Sequence, residues 1–364
     1  MATGAAVEIQ ALAKRFGDVV ALDDVSLDVR PGEFLALLGP SGSGKTTVLM
    51  TIAGFERPDA GRILIGGREI SGLAPHRRDI GMVFQRYALF PHMTVAENLA
   101  YPLRRRGVGR SEIIPRVEEI LRLIKLEGLG GRGVDQLSGG QQQRVALGRA
   151  LIFRPSVLLM DEPMSALDKK LRQHMQTELK LLHRALGTTI ILVTHDQEEA
   201  LSMADRVALL DKGRLRQIGT PVDLYRNPAD AFVADFIGRT NFLPLTEADP
   251  ARVAGFATIL GPALAADGRR PAACCCAGVR PEHIEILSPD ADGEACRVIE
   301  VAFGGASQSV LVEAAGHRIT ADMPAGPRLW QAGDAARLRF HPGTVRIFDV
   351  RSHPSIFRNT NNDD

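Results

Sequence analysis

Nine residues between positions 39 and 47, GPSGSGKTT, combine three glycines with a single lysine. The spacing of Gly39, four further residues, Gly44, Lys45 and Thr46 fits a loop that cradles phosphate groups. Glycine lets the backbone turn tightly and direct successive N–H groups onto an anion. Lys45 can neutralise the outer phosphates, and the Thr46 hydroxyl can ligate Mg²⁺. The predicted nucleotide-binding residues of this loop are Gly39, Pro40, Ser41, Gly42, Ser43, Gly44, Lys45, Thr46 and Thr47.

The segments on either side of the loop are of the kinds that a phosphate loop requires. The short apolar run Phe34-Leu35-Ala36-Leu37-Leu38 is typical of a fully buried parallel strand. From Thr46 onwards the sequence favours a helix, whose N-terminus adds a partial positive charge. The alternative is a glycine-rich turn with a solvated lysine, and the complete motif in this context argues against it.

Two carboxylates follow a second buried run, residues 157–160. Asp161 stands at the end of that predicted strand and can hold Mg²⁺ directly or through water. Glu162 is placed to polarise a water for attack on the γ-phosphate. His195 follows a third apolar run, residues 189–193, at the kind of strand end where catalytic residues lie. An ordinary acidic strand end and a structural histidine are the alternatives.

A further anion site is predicted at the start of another helix. The pentapeptide Leu137-Ser138-Gly139-Gly140-Gln141 places a serine and two glycines just before a helical run through Phe153. The N–H groups of such a helix start can bind phosphate. A capped helix after a glycine turn is the alternative interpretation.

The organisation of the chain favours an α/β fold. Residues 7 to about 33 alternate as antiparallel strands do, while residues 94 to about 136 are helical in character. Ser111 is a candidate cap for one of these helices, although Pro115 makes its boundary uncertain. The buried runs alternate with helices, which predicts a parallel core with the helical part inserted as a subdomain.

Near residue 238 the character of the sequence changes. Residues 240 to 278 are rich in Ala, Gly and Pro, and short alternating runs of a small all-β module follow them. The predicted limits are a first domain over 1–238 with its helical subdomain at about 88–136, a linker and the start of the C-terminal domain over 239–278, a β-rich OB-like domain over 279–352 and a disordered tail over 353–364.

Composition narrows the class of protein. The 44 basic and 43 acidic residues give a net charge of +1, so there is no electrostatic reason to expect nucleic acid as a partner. No stretch has the length and apolarity of a membrane span, which predicts a soluble, cytoplasmic chain.

Three of the four cysteines, Cys274, Cys275 and Cys276, are consecutive, and Cys296 stands alone. Consecutive cysteines suit a tetrahedral metal site poorly, so we expect reduced thiols that bind no metal.

The pentapeptide at 137–141, together with the phosphate loop and Asp161-Glu162, resembles the ATP-binding cassette (ABC) ATPases. The resemblance covers roughly residues 7–238 and implies a P-loop NTPase fold that binds ATP and Mg²⁺. Phe16 takes the position of an aromatic residue, often tyrosine, that stacks on adenine. Gln85 matches the loop glutamine that touches Mg²⁺ and the attacking water and relays to membrane subunits.

The resemblance implies roles for further residues. Glu162 matches the general base, and His195 matches the switch histidine that contacts the γ-phosphate. Residues 165–168, which end in Asp168, match a loop that crosses a dimer interface. Ser138, Gly139, Gly140 and Gln141 act in this family on the ATP held by the partner's phosphate loop, so the resemblance implies a head-to-tail homodimer around two ATPs. Such a dimer closes over ATP and opens after hydrolysis.

Two other segments resemble parts of importer ATPases. Residues 89–98 resemble the segment that receives a helix of the membrane subunits, and residues 279–284 resemble a strand of the transport-associated OB-like domain. The resemblance therefore implies two membrane permease subunits, an indirect substrate-binding protein outside the membrane, and a peripheral location on the cytoplasmic face of the inner membrane. Residues 232–243 look closest to the branch that imports polyamines such as spermidine and putrescine, or ferric iron; sugar, sulfate and phosphonate stay open.

Three other classes of protein are weighed against the importer. A soluble ABC ATPase acting on DNA or the ribosome would carry a long coiled-coil insertion or two cassettes, and the sequence has one phosphate loop and no heptad run. A metabolic kinase would not need the helix start at 137–141. An exporter ATPase usually lacks the C-terminal β module.

Overall fold

The computed structural model describes residues 4–165, 167–244, 275–326, 329–341 and 343–349. Expectations for Ala166, for Cys274, for most of the linker and for the tail fall outside these described residues. None of the described helices is long and apolar enough to cross a membrane.

The chain divides into two compact units between Leu224 and Tyr225. This division lies ahead of residue 238, where the sequence predicts the first domain to end, and that limit stays a prediction. The described strands of the first unit are β1 (Val7–Phe16), β2 (Val19–Val29), β3 (Phe34–Leu38), β4 (Ala60–Ile65), β5 (Arg68–Glu69), β6 (Ile80–Val83), β7 (Val157–Asp161), β8 (Thr189–Val193), β9 (Arg206–Asp211) and β10 (Arg214–Gly219).

These strands form two sheets. The N-terminal strands pair antiparallel in the order β2-β1-β4-β5, as their alternating sequences predict. The other sheet has the order β10-β9-β3-β8-β7-β6 and is parallel except at the β9–β10 pair. Every residue of β3, β7 and β8 is buried, because helices cover both faces of a parallel sheet. The predicted parallel core is confirmed.

The described residues form eight α-helices: α1 (Lys45–Ala53), α2 (Val95–Arg105), α3 (Arg110–Leu123), α4 (Gly139–Leu151), α5 (Lys169–Leu186), α6 (Gln197–Met203), α7 (Pro221–Arg226) and α8 (Ala231–Phe236). Helices α2 and α3 form the predicted helical insertion, and α4 packs against both, since a Cβ at Gly148 would press on Ile120 and Leu99. The expectation that Ser111 caps α3 is wrong. The cap is Gly109, two residues earlier, the helix begins at Arg110, and Pro115 lies inside it.

The described part of the second unit is mainly β. Its strands are β11 (Asn241–Pro244), β12 (Cys275–Val279), β13 (Ile284–Leu287), β14 (Glu294–Phe303), β15 (Ser307–Ala314), β16 (His317–Pro324), β17 (Ala335–Phe340) and β18 (Arg346–Asp349). They form sheets of order β11-β12-β18 and β13-β17-β14-β15-β16, both antiparallel. Buried side chains from both sheets share one apolar core, including Val279, Val312 and Leu338. The predicted all-β module of the OB-like type is confirmed.

Candidate active site

The phosphate loop joins β3 to α1, and its three glycines have positive φ angles. The values are 152° at Gly39, 76° at Gly42 and 101° at Gly44, a region that favours glycine. A Cβ at Gly44 would lie 2.6 Å from the carbonyl oxygen of Ala21, and one at Gly39 would overlap the carbonyl oxygen of Leu210. The loop therefore needs glycine at these two positions for space as well as for conformation.

Lys45 is held inside this loop. Its Nζ atom donates to the carbonyl oxygens of Gly39 and Pro40, both 2.8 Å away, and the residue is only 6 % exposed. Burial lowers the pKa of Lys45, while the nearby carboxylates of Glu162 and Asp161 oppose that shift. The two carbonyl contacts hold the Lys45 ammonium at a position where phosphate oxygens could replace these carbonyls as hydrogen-bond acceptors.

The other loop residues surround this lysine. Ser43 is buried, with its Oγ atom 3.4 Å from Lys45 Nζ, whereas Ser41 is exposed. The carbonyl oxygen of Thr47 accepts a hydrogen bond from the Thr51 hydroxyl inside α1. The loop N–H groups and the start of α1 thus form one anion-binding concavity.

Asp161 is the last residue of β7, and its carboxylate contacts Thr46 of the phosphate loop. Its Oδ1 atom lies 3.4 Å from the Thr46 hydroxyl, and the carboxylate is 8 % exposed. Burial raises the pKa of Asp161, and the charge of Glu162 raises it further, against the opposing effects of Thr46 and Lys45. A site that disfavours the carboxylate charge in this way gains from a cation placed beside it.

The oxygens of Thr46, Asp161 and Gln85 are of the hard type that Mg²⁺ prefers. Among the described residues, no cluster of three or more His, Cys, Asp or Glu side chains could hold a metal ion. A site with few protein ligands suits Mg²⁺, which keeps several waters and binds phosphate oxygens. The donor set therefore fits a magnesium ion bound together with a nucleotide.

Glu162 brings the other predicted catalytic residues together. Its Oε1 atom lies 3.0 Å from His195 Nδ1, and its Oε2 atom accepts from Gln85 Nε2 at 3.3 Å. The residue has φ 41°, a left-handed conformation rarely taken by a residue with a side chain. Its N–H donates to the Val193 carbonyl at the end of β8. The segments that follow β6, β7 and β8 thus bring together the amide of Gln85, the carboxylate of Glu162 and the imidazole of His195.

The sequence does not reveal the hydrogen-bond network that surrounds the segment next to His195. Arg172 of α5 donates to Asp196 at 2.8 Å and to the Leu167 carbonyl at 3.0 Å. Asp196 caps α6, and the Thr194 hydroxyl donates to buried Glu199. Burial raises the pKa of Glu199. This network joins the loop after Glu162 to the strand end that carries His195, but no local pattern marks a helical arginine as its centre.

The residues at 138–141 form a helix cap in this single chain. Ser138 caps α4: its Oγ atom accepts from Gln141 N–H, and the Gln141 side chain accepts from Ser138 N–H. Ser138 and Gly139 are exposed, and a Cβ at Gly139 would meet nothing within 4 Å. Among the described residues, their hydrogen bonds stay within this cap, so the structure does not bring the two predicted anion sites of one chain into contact.

Asp168 and Phe16 are the two remaining predicted nucleotide-binding residues. Asp168 caps α5 by accepting from Leu171 N–H at 2.9 Å. Phe16 ends β1 with 47 % of its surface exposed, and the ammonium group of Lys14 lies 5.1 Å from its ring centroid. An exposed aromatic face of this kind can stack on a base.

Comparison with known families matches both units. The family model described as ABC transporter matches residues 22–165, and the TOBE domain model matches residues 277–348. A dimeric ATP-binding cassette bound to ADP and Pi matches with a TM-score of 0.54 and 34 % identity, covering 59 % of this chain and 98 % of that one. A cassette of an ABC transporter complex from Clostridium perfringens matches with a TM-score of 0.56 and 29 % identity, covering 61 % and 90 %.

Curated relatives match over nearly the whole chain. The spermidine/putrescine import ATP-binding protein of Rubrobacter xylanophilus is 50 % identical over 85 % of this chain and 84 % of its own length. A protein of the same name from Pseudomonas aeruginosa is 48 % identical over 92 % and 94 %. A sulfate/thiosulfate import ATP-binding protein of Chromobacterium violaceum is 49 % identical over 82 % of each chain.

Proposed function

This chain belongs to the ATP-binding cassette family of import ATPases, and on that premise we propose that it powers the uptake of a polyamine, spermidine or putrescine. Two copies would close around two ATP molecules and drive two separate membrane permease subunits. The chain would act at the cytoplasmic face of the inner membrane, with a substrate-binding protein delivering the solute from the other side.

The observation that supports ATP hydrolysis most directly is the meeting of Glu162, His195 and Gln85 beside the phosphate loop. Lys45 and the loop N–H groups bind the β- and γ-phosphates, and Phe16 stacks on adenine. Glu162 takes the proton of the attacking water as general base, since its carboxylate is reachable from solvent and held on two sides. His195 contacts the γ-phosphate and stabilises the charge that develops there.

Mg²⁺ would be held by Thr46, Asp161 and Gln85, with the nucleotide phosphates completing its coordination. When bound, it neutralises the phosphate charge that builds up during phosphoryl transfer. The raised pKa of Asp161 supports this assignment, because a carboxylate that is buried beside a second carboxylate gains most from a divalent cation.

The dimer completes each site. Ser138, Gly139, Gly140 and Gln141 present the exposed start of α4, which would act on the ATP held by the partner's phosphate loop. ATP would then add contacts only in the closed state, so that binding closes the dimer and hydrolysis releases it. Asp168 would lie at this interface.

The choice of polyamine rests on the names of relatives that are 45–50 % identical to this chain. The sulfate/thiosulfate relative is nearly as similar, so sulfate is the second candidate. The solute passes through the permease and does not touch this subunit, which explains why similarity of the ATPase separates these solutes poorly.

The test is co-purification followed by uptake. The tagged chain is isolated from gently solubilised cells of its source, and its partners are identified by mass spectrometry. We expect polytopic membrane subunits, and vesicles that contain the complex should accumulate labelled spermidine or putrescine only with ATP. Accumulation of sulfate in place of polyamine would replace the solute assignment, and recovery of soluble partners alone would overturn import. Vesicles made with Glu162→Gln protein serve as the inactive control.

A further inference from the structure

Two consecutive residues just beyond Gln85 have left-handed backbone conformations. The φ angles are 57° at Tyr87 and 47° at Ala88, although both residues carry a side chain. Such conformations are disfavoured for residues other than glycine and persist where the surroundings impose them. The Tyr87 hydroxyl is buried and finds no hydrogen-bond partner among the described residues, so no hydrogen bond of this hydroxyl fixes the turn.

Arg149 adds two side-chain contacts to this turn, beside the backbone hydrogen bonds from Tyr87 N–H to the Phe84 carbonyl and from Ala88 N–H to the Arg86 carbonyl. Its Nη1 atom donates to the carbonyl oxygen of Ala88 at 2.8 Å, and its Nη2 atom donates to that of Tyr87 at 2.9 Å. The guanidinium carbon lies 5.5 Å from the ring centroid of Phe90. The two Nη atoms of a planar guanidinium are held at a fixed spacing, so that each donates to one carbonyl, whereas a lysine offers one nitrogen on a flexible stem. The fork of Arg149 therefore fixes both left-handed residues together.

Arg149 lies in the last turn of α4, the helix whose first residues form the anion site at 138–141. We propose that Arg149 is a positioning residue that sets the Gln85 loop from α4. A rigid helix with a phosphate-binding end and a clamped loop at its other end couples the two. When the start of α4 contacts the ATP bound by the partner subunit, the position of Gln85 in the site of its own subunit changes with it. This inference rests on the proposed role of Gln85 in hydrolysis.

The matched control lies on the same helix. Arg144 also belongs to α4 but pairs with Glu178 of α5, at 2.7 Å, and has no contact with the Gln85 loop among the described residues. Arg149→Lys and Arg144→Lys make the same chemical change on the same helix. The side chain of Arg149 contacts the Gln85 loop, and that of Arg144 contacts α5 instead. Both retain the positive charge, so that long-range electrostatics stay matched.

The experiment measures ATP turnover by the purified full-length variants, its dependence on Mg²⁺, and binding of a non-hydrolysable ATP analogue. We expect Arg149→Lys to lower kcat roughly tenfold and to raise the half-saturating Mg²⁺ concentration several-fold, with analogue affinity within about twofold of the parent. Arg144→Lys should leave both kinetic quantities within about twofold. Equal effects of the two substitutions, or a loss confined to analogue affinity, would overturn the proposal.

Rescue gives an independent readout. Glycine adopts left-handed conformations readily, so Ala88→Gly should let the turn form with less help from the arginine. The double variant Arg149→Lys/Ala88→Gly should therefore recover a large part of the lost kcat. Failure of Ala88→Gly to recover any activity would show that the turn is not what Arg149 controls. If Arg149→Lys does not fold and the double variant does not fold either, the arginine is structural and the proposal is overturned.

Gln85→Ala separates this inference from the proposed function. If Gln85→Ala leaves kcat and the Mg²⁺ dependence unchanged, the proposed role of Gln85 fails and Arg149 has nothing to position. If Gln85→Ala impairs both and Arg149→Lys behaves like Arg144→Lys, the role of Gln85 stands and the inference about Arg149 alone is rejected.

Discussion

Asp161 is a buried carboxylate that lies beside a second carboxylate, which makes the nucleotide-free site unfavourable by itself. Because its pKa is raised in the folded chain, the folded state binds this proton more tightly than the unfolded state does. The resulting stabilisation is fully present below the ordinary pKa of an aspartate and is lost as the pH rises through the raised value. At neutral pH the charged form therefore costs stability.

Asp161→Asn is expected to stabilise the nucleotide-free protein at pH 7 by about 1 kcal/mol, or ~2–4 °C in Tm, while abolishing Mg²⁺-dependent hydrolysis. The advantage in Tm should shrink as the pH falls towards 4, because the wild-type carboxylate then becomes neutral as well. Thermal melts across this pH range check the expectation, with exposed Glu127→Gln as the control that should follow the wild type. A variant less stable than the wild type at pH 7 would contradict it.

The Glu162 carboxylate contacts His195 and the side-chain amide of Gln85. Replacing this carboxylate should lower the rate of ATP hydrolysis without weakening ATP binding. Glu162→Gln keeps the size of the side chain and loses the base, so we expect a fall in kcat of roughly 10²–10⁴-fold with little change in ATP affinity. ATP should then trap the variant as a dimer, which size-exclusion chromatography with and without ATP would reveal. Turnover at the wild-type rate would show that another group acts as the base.

At the scale of elements, two of the three glycines of α4, Gly139 and Gly148, have opposite surroundings. A Cβ at Gly148 would lie 2.8 Å from Ile120 and 3.0 Å from Leu99, whereas one at Gly139 would meet nothing. Gly148→Ala should therefore destabilise the chain by ~1–3 kcal/mol despite the higher helix propensity of alanine. Gly139→Ala should not lower stability but should weaken ATP-dependent dimerisation, because a methyl group then stands at the predicted phosphate contact. Urea unfolding and chromatography with ATP test the pair, and a stability loss at Gly139 would refute the contrast.

The elements themselves were readable from local sequence. The strands β3, β7 and β8 can be recognised in the sequence as short apolar runs, because both faces of a parallel sheet are buried. The loop after β3 can be recognised by its glycines. The sequence predicts the start of α3 incorrectly because Ser111 is a good cap residue, yet the chain already turns into the helix at Gly109. Capping preference is a weak signal when the entering backbone decides the boundary.

Several contacts of the site could not be read from sequence. Arg172 meets Asp196 and the Leu167 carbonyl only because α5 packs beside the end of β8, and Arg149 reaches Tyr87 and Ala88 across a separation of more than sixty residues. Charged residues on helices are ordinarily solvated, so neither arginine stands out. The phosphate loop is predictable from its local spacing, and Gln85, Glu162 and His195 from the family resemblance of short motifs, whereas Arg172 and Arg149 make their contacts only through tertiary packing.

At the scale of the whole molecule, each unit has an apolar core of its own. Buried side chains of the described strands form the core of the second unit, and Val310, Val312 and Leu338 among them are fully buried. A fragment of residues 225–364 is expected to unfold in one cooperative thermal transition. Val312→Asp should abolish that transition by burying a charge, while Phe303→Asp, at a side chain that is 64 % exposed, should preserve it. A broad, non-cooperative melt of the unmodified fragment would show that this unit needs the rest of the chain.

The strand order of the parallel sheet also decides when during synthesis the chain can first hold a nucleotide. Strand β3 pairs Phe34 with Ile190 on one side and Leu35 with Arg206 on the other, so both neighbours of the phosphate-loop strand leave the ribosome long after it. Until then this apolar strand has no partner on either edge and the nascent chain must be kept from associating with others. ATP therefore cannot assist the early steps of folding, because the concavity that would bind it closes only after more than half of the polypeptide has emerged.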